Sequence, residues 1–219
     1  MLSLMALKKR DYGKAIRFVD EAVDPETRDV DLLNIRGSIL EEIGRIDEAM
    51  KTYEKALEID PKNGKVRYAL GNVLEKSGRR SRALEEMEKV LAANPNDAGA
   101  LNFIGYTLAV SGKDLDRAES LVRKALEIKP EDGYILDSLG WIAKLKGDVD
   151  GALEILQRAS QKVKTDYIIC EHLGDVLALK GKNQEAAEAY RRSLALNPDN
   201  VGVREKLQKL EGELKREEK

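Results

Sequence analysis

The residues best suited to chemistry are the chain's one cysteine, Cys170, and its one histidine, His172, which stand two positions apart. A thiol and an imidazole can act as nucleophile and general base, or as two ligands of a soft metal. On a helix, however, residues two apart point to different sides, so the pair is not set up for proton transfer. One cysteine and one histidine are also too few for a zinc site. Cys170 falls at a large apolar position of its segment, which predicts a buried structural thiol. No run of glycines has the clustering that cradles a phosphate. The expectation is therefore no catalytic residue, no metal site and no cofactor.

A second set of residues suits recognition better than reaction. Tyr68, Phe103, Tyr106, Tyr134 and Trp141 are interleaved with Asn72, Asn102 and Ser138, and Lys144 follows one turn after Trp141. Aromatic side chains supply contact area with few torsions to freeze, and asparagine can bond both the N–H and the C=O of an extended peptide.

The bulk properties narrow the partner. Thirty-eight basic and forty acidic residues leave a formal charge of −2, without the basic excess that phosphate neutralisation needs, so nucleic acid is not expected. The longest uncharged run, Ala98–Gly112, is 15 residues, shorter than a spanning helix, and direct membrane insertion is not expected. The opening Met1–Leu7 is apolar and is followed by Lys8, Lys9 and Arg10, the reverse of a secretory signal, which points to the cytoplasm. A lone cysteine leaves the fold independent of an oxidising compartment.

What positions these residues is a repeat. Gly37, Gly71, Gly105, Gly140 and Gly174 are spaced by 34, 34, 35 and 34 residues, and Ala15, Ala49, Ala83, Ala118, Ala152 and Ala186 keep the same register. A third column of small residues runs Ala22, Ala56, Val90, Ala125, Ala159 and Ser193, and Pro61, Pro95, Pro130 and Pro198 close units. Glycines at Gly44, Gly78, Gly112, Gly147 and Gly181 suit left-handed helix caps that turn the chain. Small residues at the Gly37 and Ala49 columns let paired helices approach, with Leu40 and Tyr53 filling the remaining space. The 35-residue step is a loop insertion at Lys113–Arg117. Lys164 replaces the expected proline, which predicts a longer second helix in that unit.

These columns resemble the tetratricopeptide repeat. Leu136, Leu139, Gly140, Ala143, Ala152, Leu156 and Ala159 carry its pattern in one unit, and Cys170, Leu173, Gly174, Leu177, Ala186, Tyr190, Ser193 and Pro198 in the next. The resemblance implies an all-α fold, a right-handed superhelical solenoid of helix-turn-helix hairpins. The expected organisation is a truncated first repeat at 1–29, five complete units at 30–63, 64–97, 98–132, 133–166 and 167–200, and a capping helix with a charged tail at 201–219. Val203, Leu207, Leu210 and Leu214 form the apolar stripe of that last helix.

In this family the first helices line a concave groove. The resemblance thus places Tyr68, Asn72, Asn102, Phe103, Tyr106, Tyr134, Ser138, Trp141, Lys144 and His172 at positions facing a partner. The alternative for the aromatics is packing against neighbouring helices. Chaperone co-adaptors of the family grip a terminal carboxylate with a lysine and asparagines; of the matching positions Tyr68, Asn72 and Phe103, only Asn72 agrees, so a chaperone tail is not the expected ligand. Lys76 and Lys144 remain able to attract acidic groups. Asp31, Glu41, Glu42, Glu171 and Asp175 flank the zone and would favour a basic partner, unless they form only a solvated face.

The function implied is a scaffold or adaptor that binds an extended segment of a partner protein. The alternatives are a module that self-assembles through its solenoid ends, and a regulatory repeat region of a larger bacterial envelope protein. The stretch from Leu101 to Leu177 is similar to repeats of longer bacterial proteins, some of them envelope lipoproteins. That second likeness would place the chain in the periplasm, with an export signal upstream.

Overall fold

The computed structural model describes residues 11–23 and 26–217. Among them the chain forms twelve α-helices and no strand: α1 (Tyr12–Asp20), α2 (Val30–Glu42), α3 (Ile46–Ile59), α4 (Gly64–Lys76), α5 (Arg80–Ala93), α6 (Ala98–Val110), α7 (Leu115–Ile128), α8 (Gly133–Leu145), α9 (Val149–Lys162), α10 (Tyr167–Leu179), α11 (Asn183–Leu196) and α12 (Val201–Glu217). The remainder of a first helix expected at Leu2–Lys9 lies outside the described residues. The chain divides into two compact units, 1–100 and 101–219, with the division inside α6.

Helix starts are written in side chains. An Asp or Asn stands just before α2, α4, α6, α8, α10 and α12, and in each case its side chain accepts from a backbone N–H of the first turn. Asp29 accepts from Leu32, Asn63 from Val66, Asp97 from Ala100, Asp132 from Tyr134 and Ile135, Asp166 from Ile168 and Ile169, and Asn200 from Val203. These bonds satisfy amides that have no partner within the helix. Helix ends use glycine: Gly44, Gly78, Gly112, Gly147 and Gly181 have φ from +65° to +88°. At the first of them Arg45 N–H donates back to the Leu40 carbonyl at 2.8 Å, so the chain reverses directly into α3.

In unit 1–100, a Cβ added at Gly37 would meet the Tyr53 ring at 2.4 Å, and one at Gly71 would meet Met87 Cε at 2.5 Å. The hairpins α2–α3 and α4–α5 therefore close around a glycine on one helix and a large side chain on the other. Burial pushes the Tyr53 phenol up to about 12. In unit 101–219 the same contact recurs between Gly105 and Val122, Gly140 and Leu156, and Gly174 and Tyr190. A continuous apolar cluster joins Leu156, Leu173, Leu177, Tyr190, Val203 and Leu210, with Leu207 packed against it. It ties α12 to the preceding hairpin through Val203, Leu207 and Leu210, three of the four residues of the expected stripe.

Two local details differ from expectation or sharpen it. Helix α9 does not run on past Lys162: it is 14 residues long, as are α3, α5, α7 and α11. Val163 leaves helical geometry without a proline, with the extended backbone that also ends the other second helices, and Asp166 caps the next helix. The extra residue before α7 is absorbed at Asp114, the one non-glycine among the described residues with positive φ (47°); its carboxylate caps Arg117 N–H at 3.1 Å. A short acid tolerates the left-handed region because it bonds its own backbone neighbours.

Candidate partner-binding face

The helix starts fix the register of every candidate. Asp132 caps α8 and Asp166 caps α10, so Asp137 and Trp141 project from α8 one turn apart and His172 from α10 meets them. His172 Nδ1 lies 3.0 Å from both carboxylate oxygens of Asp137. The imidazole stacks on the Trp141 ring at 4.0 Å between centroids and 19° between planes. Lys144, one turn further along α8, holds its Nζ 3.9 Å from the centroid of the same ring. An imidazole and an ammonium that close to one centroid cannot share a face, so Trp141 is held between them.

His172 is 6% exposed and Asp137 7%. Both are polar groups in an otherwise apolar interface, and each satisfies the other, which offsets their desolvation. The arrangement leaves Trp141 and Lys144 half-buried. The remaining aromatic of α8, Tyr134, is 55% exposed. Ser138 is buried, its hydroxyl donating to the Tyr134 carbonyl at 3.1 Å. Phe103, Tyr106 and Asn102 on α6 are partly buried, and the Asn102 amide oxygen is enclosed. Tyr68 and Asn72 belong to unit 1–100, where Tyr68 packs beside Gly99.

The structure therefore brings Trp141, Lys144 and His172 together, places Ser138 and His172 as supports with little surface of their own, and adds Asp137, which the sequence reasoning passed over. The sequence carries no local signal for it, but the structure repeats the spacing. Glu171 on α10 and Lys206 on α12 stand 35 residues apart, as Asp137 and His172 do, and they pair at 2.9 Å. Lys206 also reaches Asp175 at 2.7 Å, and the Tyr190 hydroxyl donates to Asp175 at 2.8 Å. Burial works to lower the Lys206 ammonium, but its bonds to Asp175 and Glu171 prevail and hold it above its ordinary value. Burial, with Asp175 and Glu171 nearby, pushes the Tyr190 phenol up strongly.

Of the acidic groups expected to flank the zone, Glu171 and Asp175 thus share the one ammonium of Lys206, and in the other unit Glu41 pairs with Lys76 at 2.6 Å. Lys76 is therefore not an unpaired cation. Cys170 is buried, and burial raises its thiol above the usual value. Among the described residues no group of three or more His, Cys, Asp or Glu side chains converges to hold a metal, and no helix is long and apolar enough to cross a membrane.

Comparison with known proteins agrees with this architecture. Three family models, each described as a tetratricopeptide repeat, match residues 1–64, 40–103 and 168–200. No curated protein matches the chain. Among solved structures, a thermophilic tetratricopeptide-repeat protein of Thermus thermophilus is 23% identical with a TM-score of 0.71, over 83% of this chain and 98% of that one. PilW, a type IV pilus biogenesis factor, is 19% identical with a TM-score of 0.76, over 94% and 95% of the two chains. YrrB, described as having an unusual peptide-binding site, is 19% identical with a TM-score of 0.56, over 87% and 97%. At these identities the likeness to each is one of fold. With the glycine-on-large-residue hairpins, the left-handed glycine turns and the matching family models together, the chain belongs to the tetratricopeptide-repeat family.

Proposed function

We propose that this chain is a protein-interaction scaffold or adaptor, and that it takes an extended segment of a partner protein on the face formed by α8 and α10. The observation that carries the reading is the Asp137–His172–Trp141–Lys144 stack. A repeat whose helices served packing alone would fill these positions with apolar side chains. Here two buried polar groups are instead arranged to hold an aromatic ring upright and to present a lysine beside it. Tyr134 on α8 adds an exposed aromatic ring, and the peptide-binding site in the name of a structural relative is in keeping with it.

The test is cross-linked capture from extract of the source cells, comparing the native chain with a Tyr106→Ala, Trp141→Ala double variant whose helicity is checked by circular dichroism. A partner captured by the native chain and lost by the variant supports the reading. A partner retained equally by both moves binding off this face.

A further inference from the structure

Next to the stack, α10, α11 and α12 border a pocket of about 410 Å³. Its apolar lining includes Leu179, Tyr190 and Leu210, and Lys144 and Lys209 line it as well. Leu179 is 60% exposed, more than any other large apolar side chain described. It ends its helix at the position where α6 and α8 carry the exposed Val110 and Leu145, whereas α2 and α4 carry Glu42 and Lys76 there. The same place on three successive first helices is thus apolar and exposed, and at Leu179 it opens onto the pocket where a partner could cover it.

The charges say what that partner carries. Asp175 is occupied by Lys206 and Tyr190. Lys144 rests on Trp141, and neither it nor Lys209 has a carboxylate partner among the described residues. Glu213 is the remaining acid of the lining, which keeps a single net positive charge. Lys144 comes from α8 and Lys209 from α12. Both helices bond to α10, through His172 on one side and Glu171 on the other, so the two ammonium groups flank the apolar lining.

We infer that this pocket takes a leucine-sized aliphatic side chain from an acidic segment internal to the partner, with carboxylates on both sides of that residue meeting Lys144 and Lys209. The inference rests on the partner-binding reading and supplies its chemistry. Two cations separated by an apolar lining match carboxylates on either side of one side chain, which a single terminal carboxylate does not provide.

The test titrates the full chain into a fluorescein-labelled, C-terminally amidated nonapeptide with a central leucine and two aspartates on each side, read by anisotropy at low and physiological salt. Saturable binding that weakens with salt is expected. It should fall at least tenfold when the peptide leucine becomes serine, when its aspartates become asparagines, and in Leu179→Ser or Lys209→Glu chains, whose exposed sites leave helicity unchanged. Absence of saturable binding, equal binding by the Leu179→Ser chain, or preference for an asparagine peptide with a free terminal carboxylate would each overturn the inference. If the acidic peptide fails while extract capture still depends on Tyr106 and Trp141, the pocket's assignment falls and the partner-binding reading stands. Loss of that dependence removes both.

Discussion

His172 Nδ1 sits 3.0 Å from both oxygens of the Asp137 carboxylate, joining two neighbouring hairpins through a pair of buried polar side chains. Truncating one partner leaves the other buried and unsatisfied. Asp137→Ala should therefore lower the urea midpoint by the equivalent of about 1–3 kcal/mol, and Asp137→Asn, which keeps an acceptor, by less. Trp141 is the only tryptophan, so its emission reports the stack directly. His172→Ala should shift that emission to longer wavelength as one ring face opens to water; an unchanged spectrum would mean the stack does not form in solution.

The glycine contacts make a graded prediction. At Gly71 an added methyl meets the flexible end of Met87, whereas at Gly174 it meets the stiff Tyr190 ring at 2.6 Å. Alanine also favours the helix by about 1 kcal/mol over glycine. Gly71→Ala should thus be near neutral, and Gly174→Ala should lose about 1–3 kcal/mol through overpacking. Thermal melts of the two variants side by side test the ranking, and equal melting temperatures would contradict it.

Acid should act on unit 1–100 through Glu86. Burial works to raise its carboxyl, but Lys89 and Arg67 prevail and hold it below the usual 4.5. A folded value below the unfolded one gives stability that is full above about pH 4.5 and is lost as pH falls through the lower folded value. Glu86→Gln should be less stable at neutral pH and should show a shallower decline between pH 5 and pH 3, on the order of the unfolded carboxylate's titration range. Urea midpoints across that range check it.

Asp114 combines a left-handed backbone with a cap on Arg117. Asp114→Asn keeps both abilities and should be neutral, whereas Asp114→Val loses the cap and strains the backbone, costing about 2 kcal/mol. Unfolding midpoints of the two variants provide the comparison.

The period, the glycine turns and the small-residue columns were legible because each answers a backbone demand repeated at one spacing. Gly44 and its equivalents have the positive φ that their place after each first helix implied. The proline column was less informative: α9 stops without one, at the same place and with the same backbone geometry as the other second helices. Site chemistry was harder to read. Trp141 and Lys144 stood out by type, but the Asp137–His172 bond depends on how two helices cross, and a residue's side-chain partner 35 positions away leaves no local trace. The parallel Glu171–Lys206 pairing shows that such bonds have a register of their own in this chain. In the acidic flank, Glu41, Glu171 and Asp175 pair with Lys76 and Lys206 from neighbouring helices, contacts that sequence position alone does not show.

The central claim, that a partner lies on the first helices α8 and α10, is tested most directly by hydrogen exchange of the full chain with and without the partner captured from extract. The account predicts slowed exchange concentrated in α8 and α10, reduced in the Trp141→Ala chain. Protection confined to the second helices α7, α9 and α11, or unaffected by loss of Trp141, would contradict it.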